Sequence, residues 1–166
     1  MLEWLRSPIV YLEQFSTAEK LRELSKQFFN PRSCMYHYLS MAKGNFNEFL
    51  RDREVVKIKK YFYVLRPVLG CDWIKRKGTF PPMEFQYLVD GLVEDDQLRE
   101  EIEKLLARKM AGEELRDEPR IDVLNRFLAE KISNYSAVVG DFDVNEKPST
   151  EILDKLFRST LNEVWN

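Results

Sequence analysis

The sequence contains few cysteines, one histidine and no long apolar run. Its 166 residues include two cysteines, Cys34 and Cys71, which are too few for a disulfide framework and lack the spacing of a zinc site. No apolar stretch approaches the ~20 residues that a membrane-spanning helix requires. The N-terminus has no basic segment followed by an apolar one, as a secretory signal would have. These absences predict a cytoplasmic protein with no membrane segment.

Internal repeats and alternating strand patterns are also missing, whereas helical spacing is widespread. Apolar residues make up 44% of the chain and aromatic residues 13%, which is enough for a buried core. Ser16 and Glu19 form a capping-box pattern that predicts the start of a helix, and Asn30 followed by Pro31 predicts its end. We therefore predict an all-α fold, a compact bundle of five to seven helices. The later helices are predicted at about residues 33–50, 52–77, 81–92, 96–115, 121–135 and 149–165.

The pattern divides the chain into three parts. Residues 16–135 carry the helical spacing and are predicted to form one helical domain. Residues 136–166 are predicted to be a linker and a short terminal helix, because the stretch 140–148 is polar and rich in turn formers. The chain begins within a helical pattern and has no cap before Leu2. Residues 1–15 are therefore expected to be the end of a preceding module that is absent from this chain.

Positive charge is concentrated in the centre of the sequence, although the net charge is only −2. Eleven lysines and arginines and four acidic residues lie between Arg32 and Lys77, so this segment carries +7 and the rest carries −9. Within it, residues 57–74 interleave cationic and aromatic side chains. A basic centre in an acidic protein suits an anionic ligand such as a nucleotide or RNA. The alternative is a solvated basic helix face that binds nothing.

Basic side chains on the second and third predicted helices are candidates for a phosphate site. Four of them can converge if these helices pack antiparallel: His37, Lys43, Lys59 and Arg66. Arginine would give a bidentate contact and lysine a mobile charge. Each residue also has a structural alternative, such as Arg66 capping carbonyls that a kink at Pro67 would release. The neighbouring aromatic residues are as consistent with a core as with base stacking.

Six blocks of the sequence occur in the same order in a known family. They are Leu2–Tyr11, His37–Asn45, Lys59–Pro67, Trp73–Ile74, Pro81–Pro82 and Leu106–Leu115. As a set they resemble a bacterial and phage family of predicted nucleotidyltransferases in the DNA polymerase beta superfamily, which is associated with RNA repair pathways. The blocks span roughly residues 1–135, and the tail from Ser136 onward has no counterpart in the resemblance.

The resemblance implies that this chain is the C-terminal helical part of such a protein. In that family the catalytic module comes first and carries a Gly-Ser turn, an Asp-x-Asp pair and a further acidic residue, which bind Mg²⁺ and the nucleoside triphosphate. Asp141 and Asp143 have no Gly-Ser turn upstream and follow a helix in linker-like sequence, so we do not assign them to a metal site. This chain is expected to hold no catalytic residue, metal ligand or cofactor, with Mg²⁺ bound only when the missing module is present.

Three hypotheses for the function follow. By the resemblance, the chain walls the substrate cleft of an enzyme that transfers a nucleotidyl group to RNA or a related acceptor, and is inactive alone. Eight residues are then expected to face the cleft: His37, Tyr38, Lys43, Asn45, Lys59, Lys60, Tyr61 and Arg66. A second hypothesis is a non-enzymatic module that binds nucleotides or RNA. A third is an interaction scaffold that binds the missing module or another protein through an apolar N-terminal segment: Leu2, Trp4, Leu5 and Ile9.

Overall fold

Seven α-helices make up most of the described chain, together with one small sheet. The structure is a computed structural model that describes residues 4–113, 116–142 and 148–165. It confirms the prediction of an all-α fold with five to seven helices. The helices are α1 (Thr17–Gln27), α2 (Pro31–Phe49), α3 (Lys60–Lys77), α4 (Phe85–Leu92), α5 (Asp96–Met110), α6 (Asp122–Val138) and α7 (Glu151–Trp165). The remaining elements are strands β1 (Val55–Lys57) and β2 (Asp117–Pro119) and 3-10 turns at Trp4–Arg6 and Val139–Asp141.

The described residues belong to two compact units. One unit comprises Met1–Asn30 and Val144–Asn166, and the other is Pro31–Asp143. The division of the chain at residues 15 and 135 that the sequence pattern suggests remains a prediction. None of the helices in the described ranges has the length and apolarity needed to cross a membrane. The two cysteines of the chain are not joined by a disulfide.

In the first unit, α1 and α7 are joined by polar contacts at Glu163. The backbone N–H and the hydroxyl of Ser16 both donate to this carboxylate, at 2.7 and 2.5 Å, and the Lys20 ammonium lies 3.3 Å from it. α1 begins directly after Ser16, where the capping pattern predicts a start. Ser16 nevertheless makes no side-chain capping bond within its own helix, since its φ of −89° and ψ of 3° differ from the extended conformation that is usual at an N-cap. Its hydroxyl instead donates to a carboxylate 147 residues away.

In the second unit, α3 packs against α2 and α6 to form the core. Met35, Leu65 and Leu69 are fully buried there. Gly70 lies against the ring of Tyr38, and a Cβ atom at this glycine would stand 3.4 Å from the ring. A side chain at position 70 would therefore crowd the contact between α2 and α3.

The third helix begins later than the sequence pattern predicts. α3 starts at Lys60, not near Asp52, because part of the intervening segment forms β1. β1 runs antiparallel to β2, and Val56 lies opposite Glu118 in this pairing. Only the middle residue of β1 is buried. The strand depends on a partner far away in the sequence, so local spacing does not reveal it.

Two other helix ends differ from the prediction. α4 begins at Phe85 and not at Pro81, since the residues between them form a loop. α5 ends at Met110, and the chain then turns through Gly112, whose φ of +75° is a conformation that favours glycine. The predicted end of this helix, near Leu115, lies outside the described residues.

Tyr61 ties the start of α3 to the start of α6. Its side chain is fully buried, and its hydroxyl donates to Asn125 Oδ1 at 2.6 Å and accepts the Ile121 backbone N–H at 2.8 Å. Burial raises the pKa of the Tyr61 phenol, so the hydroxyl remains protonated and can donate. This tyrosine is therefore part of the core of the second unit.

Replacing Tyr61 with phenylalanine should lower the free energy of unfolding by about 1–3 kcal/mol. The reason is that the side-chain oxygen of Asn125 and the backbone N–H of Ile121 each lose a partly buried hydrogen bond. The matched control is Tyr63→Phe on the same helix, whose side chain is 51% exposed. Urea unfolding followed by circular dichroism measures both variants. Equal stability of the two variants would show that the Tyr61 hydroxyl does not support the fold.

Candidate functional site

A basic groove forms where three elements meet: the β-ribbon, which is the antiparallel pair of β1 and β2, the start of α3 and the end of α5. Its volume is about 830 Å³. Eight described residues line this groove: Lys57, Lys59, Phe62, Tyr63, Lys109, Glu113, Arg116 and Asp117. They come from two stretches of the sequence, and the pairing of Lys57 with Asp117 across the ribbon brings these stretches together.

The charges that line the basic groove are predominantly positive. Four of the eight residues are cationic and two are acidic. One of the acids, Glu113, accepts a hydrogen bond from Arg108 Nε at 2.8 Å, and the same guanidinium binds Glu118 at 2.5 Å. The Arg108 guanidinium holds the pKa of the Glu118 carboxyl below its usual range. With Arg108 and Glu118 counted beside the lining residues, five cations face three carboxylates, so the groove keeps a surplus of two positive charges.

Aromatic rings lie among these cations. The Lys109 ammonium stands 4.7 Å from the centre of the Phe62 ring, within the range of a cation–π contact. The Lys60 ammonium lies 4.6 Å from the Tyr63 ring and 3.6 Å from the Phe49 ring. Tyr63 is half exposed, so part of its ring is open to solvent. A ring in this setting can stack on a planar group whose charged substituents meet the lysines.

A second groove of about 450 Å³ lies beside β1. It shares Lys57 and Asp117 with the basic groove. Its other described lining residues are Glu48, Phe49, Arg53, Val55, Val56 and Lys60. The two grooves therefore adjoin along the β-ribbon, and both contain lysines from the segment 57–60.

The structure brings some of the eight residues predicted to face a cleft to these grooves. Lys59 lines the basic groove, and Lys60 lines the second one. Arg66 instead donates to the backbone carbonyl of Met83 at 2.8 Å and to that of Pro82 at 3.4 Å, in the loop before α4. It thus caps loop carbonyls between α3 and α4.

The other predicted residues lie away from the lining of either groove. Tyr38 and Tyr61 are buried in the core, whereas His37 and Lys43 are exposed on α2. The Asn45 side chain donates to the Met41 carbonyl of its own helix at 2.8 Å. A role in ligand binding for these residues stays a prediction.

Four lining residues of the basic groove, from the later of its two stretches, were missed by the sequence analysis: Lys109, Glu113, Arg116 and Asp117. They follow the predicted basic centre by more than thirty residues and are brought to it by the β-ribbon. The cations in the last turn of α5 were the available signal, but such cations usually only complement the helix dipole. Their meeting with Lys57 depends on the tertiary fold.

The described residues offer no donor set for Mg²⁺. Within residues 4–113, 116–142 and 148–165, no three histidine, cysteine or carboxylate side chains are grouped so that they could hold a metal ion. Asp143 of the pair considered above lies outside the described residues, and Asp141 forms part of a 3-10 turn.

Comparison with known proteins identifies the family. The model of the RNA repair pathway DNA polymerase beta family, RlaP, matches residues 1–159. The chain belongs to this family. The expectation that the tail from Ser136 onward has no counterpart in the family is therefore wrong, since the match runs to residue 159 and includes most of α7.

A curated relative of this RlaP family chain is the uncharacterized protein YcgL of Bacillus subtilis strain 168. The two are 47% identical over 165 residues, which is 99% of this chain and 63% of the relative. The chain thus spans less than two thirds of the length of the relative. No solved structure matches the chain.

Proposed function

We propose that this chain supplies the substrate-binding wall of a nucleotidyltransferase, as the C-terminal helical part of an RlaP family protein. The basic groove would hold the phosphates of a nucleotide or of an RNA acceptor. The observation that carries the proposal is the grouping of four cations with two aromatic rings in one groove of about 830 Å³. Family membership supports a nucleotide or RNA ligand over other anions.

The positions of the cations favour a chain of phosphates over a single one. Lys57 belongs to both grooves, so positive charge continues along the β-ribbon from Lys59 on one side to Lys60 and Arg53 on the other. Consecutive phosphates of a nucleic acid can contact consecutive cations along such a path. A short single strand therefore fits the arrangement, and a nucleoside triphosphate would occupy part of it.

The exposed part of Tyr63 supplies a contact for a base or for a nucleotide ring. Stacking of a base on an aromatic side chain contributes about 1–3 kcal/mol and tolerates any sequence. The Lys60 ammonium contacts the rings of both Tyr63 and Phe49, and these contacts hold its charge beside the exposed part of Tyr63. Binding is then expected to depend more on phosphates and stacking than on base identity.

Catalysis in this proposal requires carboxylates from another part of the protein. The described residues lack a grouped set of metal ligands, and the relative is longer than this chain. Mg²⁺ would be held there, where it stabilises the negative charge that develops on the transferred phosphate. The groove residues of this chain bind and orient the substrate.

We place the protein in the cytoplasm, in keeping with two cysteines that form no disulfide.

Removing two lysines from the basic groove should weaken RNA binding and reduce its salt dependence. For the double variant Lys57→Gln/Lys59→Gln, we expect the Kd for a short single-stranded RNA to rise about tenfold at low salt. The slope of log Kd against the logarithm of the salt concentration should fall by about 1.4, since each of two lost phosphate contacts contributes about 0.7. Fluorescence anisotropy at several salt concentrations, without Mg²⁺, measures both quantities.

The control for this experiment is the double variant Lys104→Gln/Lys155→Gln. It removes the same charge from exposed sites outside both grooves. Its Kd and salt slope should match those of the unaltered chain. An equal loss of affinity in the two double variants would mean that RNA responds only to net charge, and this would contradict binding in the groove.

Nucleotidyl transfer should require a longer protein that contains this chain. With Mg²⁺, labelled nucleoside triphosphates and an RNA acceptor, we expect labelled product from the longer protein and none from this chain alone. Introducing Lys57→Gln/Lys59→Gln into the longer protein should lower kcat/KM about tenfold, the size of effect expected from lost substrate-binding contacts. Transfer catalysed by this chain alone would contradict the proposed division of labour.

A second candidate function, a protein-interaction scaffold, has an observation of its own. Several large apolar side chains of the N-terminal segment are exposed in the first unit, among them Trp4 at 77% and Ile9 at 65%. Neighbouring exposed apolar residues mark a surface that another protein can cover. The segment also contains Leu5, which is half-buried, whereas Leu2 lies outside the described residues.

If this segment binds a second copy of the chain, Trp4→Ala should abolish self-association because the exposed indole would be the main buried contact. Sedimentation velocity over a range of protein concentrations measures this, and Trp165→Ala, which removes a tryptophan 80% exposed at the end of α7, is the control. A monomeric unaltered chain, or association retained in Trp4→Ala, would reject the scaffold function for self-assembly.

A further inference from the structure

A polar cleft of about 340 Å³ lies between α3 and α6, apart from the two grooves. Its lining residues come at equal spacing from the two helices: Asp72, Lys75 and Arg76 from α3, and Lys131, Asn134 and Tyr135 from α6. Residues at positions i, i+3 and i+4 share one helix face, so each helix presents three polar side chains to the other. None of these six residues lines the basic groove or the second groove as described above.

A buried carboxylate organises this α3–α6 cleft. Asp72 is only 3% exposed, and it accepts the Tyr135 hydroxyl at 2.5 Å and the Lys131 ammonium at 2.7 Å. Burial and the neighbouring Asp72 raise the pKa of the Tyr135 phenol, so the hydroxyl stays protonated and donates. A buried charge is costly unless it is paired and hydrogen-bonded. Asp72 thus fixes the positions of Lys131 and Tyr135.

Positive charge in the cleft exceeds what this carboxylate offsets. Three of the six residues are cationic, and Asp72 is the single acid among them. Arg76 Nε lies 3.6 Å from Asp72, while its guanidinium also binds Glu94, a side chain that is largely exposed. Lys75 is exposed and is absent from the ion pairs formed with Asp72 in the described structure. With Glu94 counted beside Asp72, three cations face two carboxylates, so the cleft keeps a surplus of one positive charge beside an open volume.

The two lysines are held around the same aromatic ring. The Lys75 ammonium stands 5.9 Å from the centre of the Tyr135 ring, and the Lys131 ammonium stands 5.8 Å from it. A bound anion would offset the charge of Lys75, whereas the Lys131 ammonium is already paired with Asp72. The Asn134 side chain on the same turn of α6 can donate an amide N–H to such an anion.

We propose that the α3–α6 cleft is a phosphate-binding site, in which Lys75, Arg76 and Lys131 contact a phosphate group that is either free or a terminal phosphomonoester. Asp72 and Tyr135 serve as positioning residues: Asp72 binds the Lys131 ammonium, and the Tyr135 hydroxyl donates to Asp72. The site uses residues other than those of the basic groove, so it can exist whether or not that groove binds RNA.

Inorganic phosphate is the first probe. Titrated into the ¹⁵N-labelled chain above pH 7, where it is largely a dianion, it should cause saturable amide shifts at residues 72–77 and 131–135. Lys75→Gln should raise the Kd for these shifts about tenfold, the size expected for one lost charged contact. Thermal melts should show the variant to be folded, because Lys75 is exposed.

The matched control is Lys77→Gln, which removes an exposed lysine from the same helix end outside the cleft. Its Kd should stay within about twofold of the original value, since a charge outside the site is screened by salt. Absence of saturable shifts at the cleft, or an equal loss in both variants, would overturn the proposal.

Two dinucleotides distinguish the sources of the phosphate. A 5′-phosphorylated dinucleotide that shifts the cleft residues, when its 5′-hydroxyl counterpart does not, identifies a terminal phosphomonoester as the ligand. Shifts produced by inorganic phosphate and by neither dinucleotide identify free phosphate. Equal shifts at the cleft from both dinucleotides would contradict a site for a terminal phosphate, because the internal phosphodiester is all that the two share.

Discussion

The antiparallel pairing of β1 with β2 is the interaction on which the basic groove depends. It places Lys57 opposite Asp117, and the Ile58 backbone N–H extends the pairing by donating to the Arg116 carbonyl at 3.2 Å. These contacts join the segment before α3 to the segment after α5. A two-stranded ribbon alone is marginal in water, so the buried Val56 and the packing of α3 must support it.

Helix α3 distributes the basic centre of the sequence to two places. Lys60, its first residue, and Lys59 just before it lie in the grooves beside the β-ribbon, whereas its C-terminal end carries Lys75 and Arg76 into the α3–α6 cleft. The middle of the helix is buried and forms the core of the second unit. One rigid helix thus fixes two surfaces with a surplus of positive charge. Both suit phosphate groups, and the fold separates them by the length of α3.

The sequence predicts the helices well because their apolar spacing is local. It also singles out Lys59 and Lys60 through their aromatic neighbours. It does not predict the ribbon, because pairing with β2 is a tertiary event, and for the same reason it misses Lys109 as a groove residue. Tyr61 is an aromatic residue among cations, as a ligand-binding residue would be, yet its hydroxyl donates a hydrogen bond to Asn125 inside the core. Whether an aromatic residue faces a ligand or a neighbouring helix depends on packing that spacing alone does not encode.

The most direct test of the account is to map where RNA binds. Amide shifts of the ¹⁵N-labelled chain, titrated with a short single-stranded RNA that carries a 5′-hydroxyl, report each residue separately. We predict saturable shifts concentrated in β1, β2, the first turn of α3 and the last turn of α5. Shifts concentrated on α2 around His37 and Lys43, or shifts spread over the chain without saturation, would contradict the claim that the ribbon assembles a phosphate-binding groove.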